Sequence, residues 1–74
     1  MKEGIIVNFD GYQGVIKTAE EQYLLLKKDI YEENTVLKEN DLVIFTPDIY
    51  KIKDLDVKIA RFIKKKELGE ELKK

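Results

Sequence analysis

The segment GIIVNFDGYQGVIK, residues 4–17, decides the fold. Apolar side chains take alternate positions over residues 5–9 and predict a β-strand, with Ile6 adding an apolar residue on the other side. Residues 11–14, GYQG, predict a tight turn, because Gly11 and Gly14 can supply the positive φ that such turns need. Strand character resumes over residues 15–18, so two strands joined by a turn are expected here.

Three further segments have strand character: residues 23–26, 42–46 and 57–63. Pro47 is expected to end the second of these or to mark an edge strand. Residues 57–63 also fit an apolar helix stripe, but their β-branched side chains favour a strand.

The connections between these strands differ in character. Residues 28–34 suit a short helical turn, and residues 37–41 suit a turn in which Asn40 takes a left-handed φ. Residues 48–55 leave two forms open, an irregular connection or an extended ribbon, because apolar and lysine residues alternate there. The last ten residues are expected to form a charged tail, either helical or frayed, in which Leu68 and Leu72 are spaced i, i+4.

Short strands separated by turn signals predict a small barrel or sandwich. A five-stranded barrel of about this size is the OB-fold, whose β2–β3 face and loops bind single strands. We therefore expect an all-β, five-stranded antiparallel OB-fold barrel in residues 1–64, followed by a short charged C-terminal tail or helix in residues 65–74. No second domain is expected.

Composition excludes several classes of function. The chain of 74 residues has no Cys, His or Ser, so it offers neither thiolate or imidazole metal ligands nor the usual nucleophile–base pairs. We expect no enzymatic activity, no cofactor and no metal site. No apolar run approaches the roughly 18 residues of a membrane span, and the first residues do not fit a signal peptide. A cytoplasmic location without membrane contact is therefore expected.

The net charge of −1 conceals an asymmetry along the chain. Residues 1–50 carry five lysines and ten acids, whereas residues 51–74 carry nine basic residues and five acids. We call the five cations within residues 58–66 the basic stripe: Lys58, Arg61, Lys64, Lys65 and Lys66. Such a stripe either binds polyanions or forms an ordinary solvated face, and the second is commoner in lysine-rich chains.

The chain resembles the bacterial cold-shock domain over nearly its whole length apart from the tail. Residues 11–16 align with the family's first RNA-binding motif, Lys-Gly-Phe-Gly-Phe-Ile, and share its second Gly and its Ile as Gly14 and Ile16. Residues 23–26 followed by Ile30 align with its second motif, Val-Phe-Val-His and a short segment ending in Ile. Residues 37–45 align with Leu-x-x-Gly-x-x-Val-x-Phe, with Asn40 in place of the Gly. Two other OB families, bacterial initiation factor one and the S1 domain, stay open as alternatives, although the turn motif fits the first of them less well.

Most of the family's aromatic platform is missing from this chain. Phe9 keeps its ring, but the other platform positions carry Asn8, Gln13, Val15, Leu24 and Leu26. Because each stacked base contributes about 1–3 kcal/mol, the resemblance implies a binder of single-stranded RNA or DNA with weakened affinity.

The resemblance implies a nucleic-acid site in which aromatic residues stack bases and lysines contact phosphates. These candidate residues are Phe9, Tyr12, Tyr23, Lys17, Lys27 and Lys28. The alternative is a degenerate barrel that acts as a protein-interaction module without nucleic-acid binding. Its partner, or a second copy of the chain, would contact Val15, Leu24 and Leu26, which form an apolar patch unless the tail covers them.

Overall fold

Five β-strands close into a barrel in the computed structural model, which describes residues 1–31 and 36–66. The elements are β1 (Lys2–Phe9), β2 (Gln13–Lys17), β3 (Gln22–Leu26), a 3-10 turn (Lys27–Asp29), β4 (Leu42–Ile52) and β5 (Leu55–Lys65). The strand order around the barrel is β1-β2-β3-β5-β4. The expected all-β, five-stranded barrel of OB-like form is therefore confirmed.

One strand pair departs from the expected antiparallel arrangement. A ring of five strands cannot alternate in direction at every step, so one neighbouring pair must be parallel. That pair is β3 and β5, which meet at Leu24 and Ile59. An isolated parallel bridge between Ile30 and Ile63 extends the contact. We call these two bridges the seam of the barrel.

The barrel interior is filled by alternate residues of β1 to β4 and by Ile59, Ala60 and Ile63 of β5, where the alternation is broken. The largest fully buried side chains are Phe45, Ile6, Ile16, Leu25, Ile63 and Val43. Burying a side chain of this size contributes about 1.5–3 kcal/mol, so these positions provide most of the apolar stabilisation of so small a domain.

The two glycines of the GYQG segment serve different purposes. Gly11 has a φ of +99°, as the turn requires. The expectation of a positive φ at Gly14 is wrong, because Gly14 lies within β2 and is buried. A Cβ atom there would lie 2.0 Å from the carbonyl oxygen of Asn8, beside the irregularity in β1 between Ile6 and Asn8. Close approach of two strands therefore explains this glycine. The left-handed φ expected at Asn40 is confirmed at 74°.

Pro47 does not end β4, which continues to Ile52 and pairs with β5 throughout. β1 pairs with β4 only as far as Phe45. Pro47 therefore lies where β4 has become an edge strand, and at that position a residue without an N–H group is tolerated. The extended-ribbon form of residues 48–55 is the observed one. We call residues 47–58, the part of this hairpin beyond the barrel, the arm.

A short helical turn is present, but it is the 3-10 turn Lys27–Asp29, which overlaps the expected range 28–34 only at its first two residues. Residues 32–34 lie outside the described residues. Within the described ranges, no helix has the length and hydropathy needed to cross a membrane. Residues 57–63 are extended rather than helical, as expected. The tail residues Leu68 and Leu72 lie outside the described residues.

Candidate functional site

The outer surface of β2 and β3 is the expected binding face. Alternate residues of the two strands point outward and face each other in register: Gln13 with Leu26, Val15 with Leu24, and Lys17 with Gln22. We call these six residues the outer face. Its aliphatic members are half-buried, so the face has a shallow apolar centre with polar ends.

Two open hollows adjoin the outer face and share Val15 and Leu24. The first, of about 390 Å³, lies toward β1 and is also lined by Phe9 and Gln13. The second, of about 410 Å³, lies toward the arm and is also lined by Val57. Acidic side chains line both hollows, Asp10 and Glu39 in the first and Asp56 in the second.

Asp10 organises the turn between β1 and β2. Its Oδ1 atom accepts hydrogen bonds from the backbone N–H groups of Tyr12 and Gln13, each at 2.8 Å. These bonds, the one from Gln13 first and then the one from Tyr12, lower the pKa of Asp10 below its ordinary value. The carboxylate therefore holds the turn in one conformation and leaves the Tyr12 side chain 74% exposed.

Tyr12 and Lys27 form a fixed pair at one end of the outer face. The backbone N–H of Lys27 donates to the Tyr12 carbonyl oxygen at 2.9 Å. The Lys27 ammonium lies 5.6 Å from the centre of the Tyr12 ring. An exposed ring beside a cation can stack on a base while the cation approaches a phosphate.

Lys17 and Lys28 are exposed, and neither has an ion-pair partner within residues 1–31 and 36–66. Lys28 follows Lys27 in the 3-10 turn. Lys17 lies at the opposite end of β2 from Gln13, about 14 Å away at the usual rise per residue. Positive charge is therefore available at both ends of the outer face.

Tyr23 lies in the core and not on the outer face. It is 4% exposed, and its ring centre lies 4.9 Å from that of Phe45. Its hydroxyl donates to Glu21 Oε1 at 2.6 Å, a bond that raises the pKa of Tyr23. Tyr23 is therefore unable to stack on a base. Phe9 is half-buried against the core and lines the first hollow, so it keeps an accessible edge.

The basic stripe is largely neutralised by acids that are distant in sequence. Lys58 pairs with Glu21, Arg61 with Asp29 and Asp48, Lys65 with Asp41, and Lys66 with Glu3. The Lys64 ammonium lies 5.4 Å from the centre of the Tyr31 ring. The stripe is thus closer to an ordinary solvated face than to a polyanion site.

The contact between Lys58 and Glu21 ties the base of the arm to the start of β3. The hydrogen bond from Lys58, followed by the one from Tyr23, lowers the pKa of Glu21. Both hollows therefore have walls that are held in place by polar contacts near their rims.

The apolar surface of the arm is a feature that the sequence pattern alone does not predict. Tyr50 faces Val57 and Ile52 faces Leu55 across the two strands, so these four residues share one side. We call them the arm face. The alternation of Tyr50 and Ile52 with lysines was the available signal, but the equivalent alternation of Leu55 and Val57 was assigned to other segments.

Among the described residues, no three acidic side chains converge closely enough to hold a metal ion. Comparison of the chain with protein-family models, with curated proteins and with solved structures gives no match. The OB-like fold therefore rests on the strand order and closure of the barrel itself.

Proposed function

We propose that the outer face binds single-stranded RNA or DNA in the manner of a cold-shock domain, with weakened affinity and in the cytoplasm. One observation carries the proposal: the exposed Tyr12 ring is fixed beside Lys27, at the edge of an open face that also has Lys17 and Lys28 near it. Phe9 completes the site from the first hollow.

The proposed affinity is low because two aromatic rings replace a full platform. Stacking on Phe9 and Tyr12 supplies roughly 2–6 kcal/mol at the usual contribution per base. The salt dependence is correspondingly shallow. Three lysines contacting a single strand give a slope of log K against log salt of about −2, whereas additional recruitment of the five cations of the basic stripe would bring it to about −6.

The test is a titration of ¹⁵N-labelled protein with a short oligopyrimidine at about 50 mM and about 200 mM salt. We expect amide shifts centred on Tyr12, Lys17 and Lys27. Shifts confined to the basic stripe and removed by salt would mean non-specific polyanion contact, and the absence of shifts at low salt would contradict the proposal.

The chain offers a matched control for the central contact. Tyr31 is 62% exposed and has Lys64 beside its ring, so it repeats the tyrosine–lysine pair away from the outer face. We expect Tyr12→Ala to weaken binding by roughly 5- to 100-fold, the equivalent of one lost stack. Tyr31→Ala should leave the affinity unchanged. Equal losses from both substitutions would contradict a site at the outer face.

A second candidate function is a protein-interaction module. It is favoured by the aliphatic pair Val15 and Leu24 at the centre of the outer face, with acidic side chains at the edges of the hollows. Exposed apolar surface of this kind is also typical of sites that bind an apolar peptide. A titration without any response to the oligonucleotide would favour this function over nucleic-acid binding.

A further inference from the structure

The arm carries a group of large apolar side chains that are exposed and share one surface. Leu55 is 70% exposed, Tyr50 56% and Ile52 47%. Val57 completes the arm face and also lines the second hollow, together with Val15 and Leu24. The arm face and the apolar centre of the outer face are therefore continuous.

Among the described residues 1–31 and 36–66, no strand pairs with the two strands of the arm other than these two with each other. β1 pairs with β4 no farther than Phe45, and β3 meets β5 at Ile59, at the base of the arm. Isolated two-stranded ribbons are at best marginally stable in water, and an apolar sheet face is normally covered by another element. A partner that covers the arm face would therefore stabilise the arm as well as bury its apolar surface.

The charges of the arm define the kind of partner that suits it. Residues 47–58 contain three lysines and three aspartates, and the whole chain has a net charge of −1. Lys51 and Asp56 also face each other across the ribbon. Because its positive and negative charges are equal in number, the arm has no preference for a polyanion. Two copies of a chain with a net charge near zero do not repel each other.

We propose that the arm face packs against the arm face of a second copy of this chain. A two-fold axis perpendicular to the arms makes the two arms antiparallel, and in this arrangement each tip, with Ile52 and Leu55, faces the partner's second hollow. The four side chains of the arm face together with Val15 and Leu24 then bury roughly 500 Å² per copy. The total of about 1,000 Å² is at the lower end for a specific interface. The dimer is therefore weak, with a dissociation constant in the range of about 10 µM to 1 mM.

Sedimentation equilibrium over this concentration range tests the inference, with a matched pair of substitutions. Leu55→Lys places a charge in the proposed interface. Ile49→Lys places the same charge on the opposite side of the arm, where Ile49 faces Lys58 and is 60% exposed. We expect Leu55→Lys to raise the dissociation constant at least about tenfold and Ile49→Lys to change it by less than about twofold. Circular dichroism and thermal melts of both variants establish that the barrel is intact.

Three results would contradict the proposed dimer. The wild-type chain could be monomeric over the whole concentration range, or Leu55→Lys could leave the dissociation constant unchanged. The two substitutions could also change the dissociation constant equally. A monomer whose arm-face amides shift when an oligopyrimidine is added would also overturn the dimer, and would assign the arm to the nucleic-acid site instead. The dimer covers Val15 and Leu24 of the outer face, so a second copy and an oligonucleotide compete for part of that face. Sedimentation without oligonucleotide tests the dimer alone, and titration of the Leu55→Lys variant with oligopyrimidine tests nucleic-acid binding alone.

Discussion

Replacing Arg61 by methionine should lower the free energy of unfolding by about 2 kcal/mol. The Asp29 side chain is only 7% exposed, and its Oδ1 atom lies 3.0 Å from the Arg61 Nε atom. Its Oδ2 atom accepts no hydrogen bond from the residues that the structure describes. Removing the partner of a fully buried charge costs about 3–5 kcal/mol. The Arg61 side chain is 42% exposed, so water replaces part of the contact that Asp29 loses. We therefore expect a loss of about 2 kcal/mol, below the range for a fully buried pair.

Urea unfolding measures this loss directly, and the midpoint of thermal unfolding should fall by about 8–16 °C in a domain of this size. Asp48→Asn is the matched control, since Asp48 is the exposed partner of the same guanidinium, at 3.3 Å. Its loss should be below about 1 kcal/mol. Adding Asp29→Asn to Arg61→Met should restore stability, because the unpaired charge is then gone.

Two results would refute this reasoning. One is a loss below about 0.5 kcal/mol for Arg61→Met, which is the ordinary range for surface substitutions. The other is an equal loss for Asp48→Asn, which would mean that the exposed contact and not the buried one matters. Arg61→Met should also leave oligonucleotide affinity unchanged, because the proposed site does not include this residue.

Further predictions concern the core, a close strand contact and acid stability. Gly14→Ala should destabilise the barrel by about 3 kcal/mol or prevent folding, whereas Gly11→Ala, with open space around it, should cost about 1 kcal/mol in the same urea assay. Phe45→Ala should cost about 3–5 kcal/mol, and a loss below about 1 kcal/mol would contradict its central place in the core. Lys58 lowers the pKa of Glu21 in the folded state, so this contact stabilises the fold above the ordinary pKa of 4.5 and is lost as pH falls through the lowered value. The free energy of unfolding of Glu21→Gln, measured against pH, should therefore fall less on acidification than that of the wild-type chain. An unchanged pH dependence would contradict a stabilising role of the Glu21 carboxylate.

The number and character of the strands could be predicted because they depend on local alternation. Both the strand assignment of residues 57–63 and the left-handed Asn40 follow from neighbouring residues alone. The effect of Pro47 could not be predicted in the same way. Whether a proline ends a strand depends on whether a neighbouring strand needs its N–H, and that neighbour, β1, lies far away in sequence.

The candidate site was predictable only in part, because its members depend on which side of a strand they occupy. Tyr23 and Leu24 are adjacent in sequence, but one is in the core and the other is on the outer face. Tyr12 and Lys27 are brought together by a backbone hydrogen bond between a turn and the end of β3. Local patterns do not contain that information.

The basic stripe illustrates the same limit for charges. Its cations are neighbours in sequence, but their partners Glu3, Glu21 and Asp41 come from other strands and loops. The positive potential predicted from this run of lysines is therefore larger than the potential in the folded chain, where acids from other segments lie beside them. In a closed barrel the neighbours of a strand are set by topology, and charge balance is reached between strands.

The seam is the junction of the barrel with the fewest paired residues, two bridges against four or more residue pairs between each other neighbouring pair of strands. On one side lies the β1–β2–β3 meander, and on the other the long β4–β5 hairpin. Between them β3 and β5 share one strand bridge at Leu24 and Ile59, with a second bridge at Ile30 and Ile63. Amide hydrogen exchange should therefore be fastest, among the paired strands of the barrel, along the facing edges of β3 and β5, through sub-global opening that leaves the β1–β2 and β4–β5 ladders intact. Such opening exposes the interior at one defined line, directly beside the face proposed to bind nucleic acid.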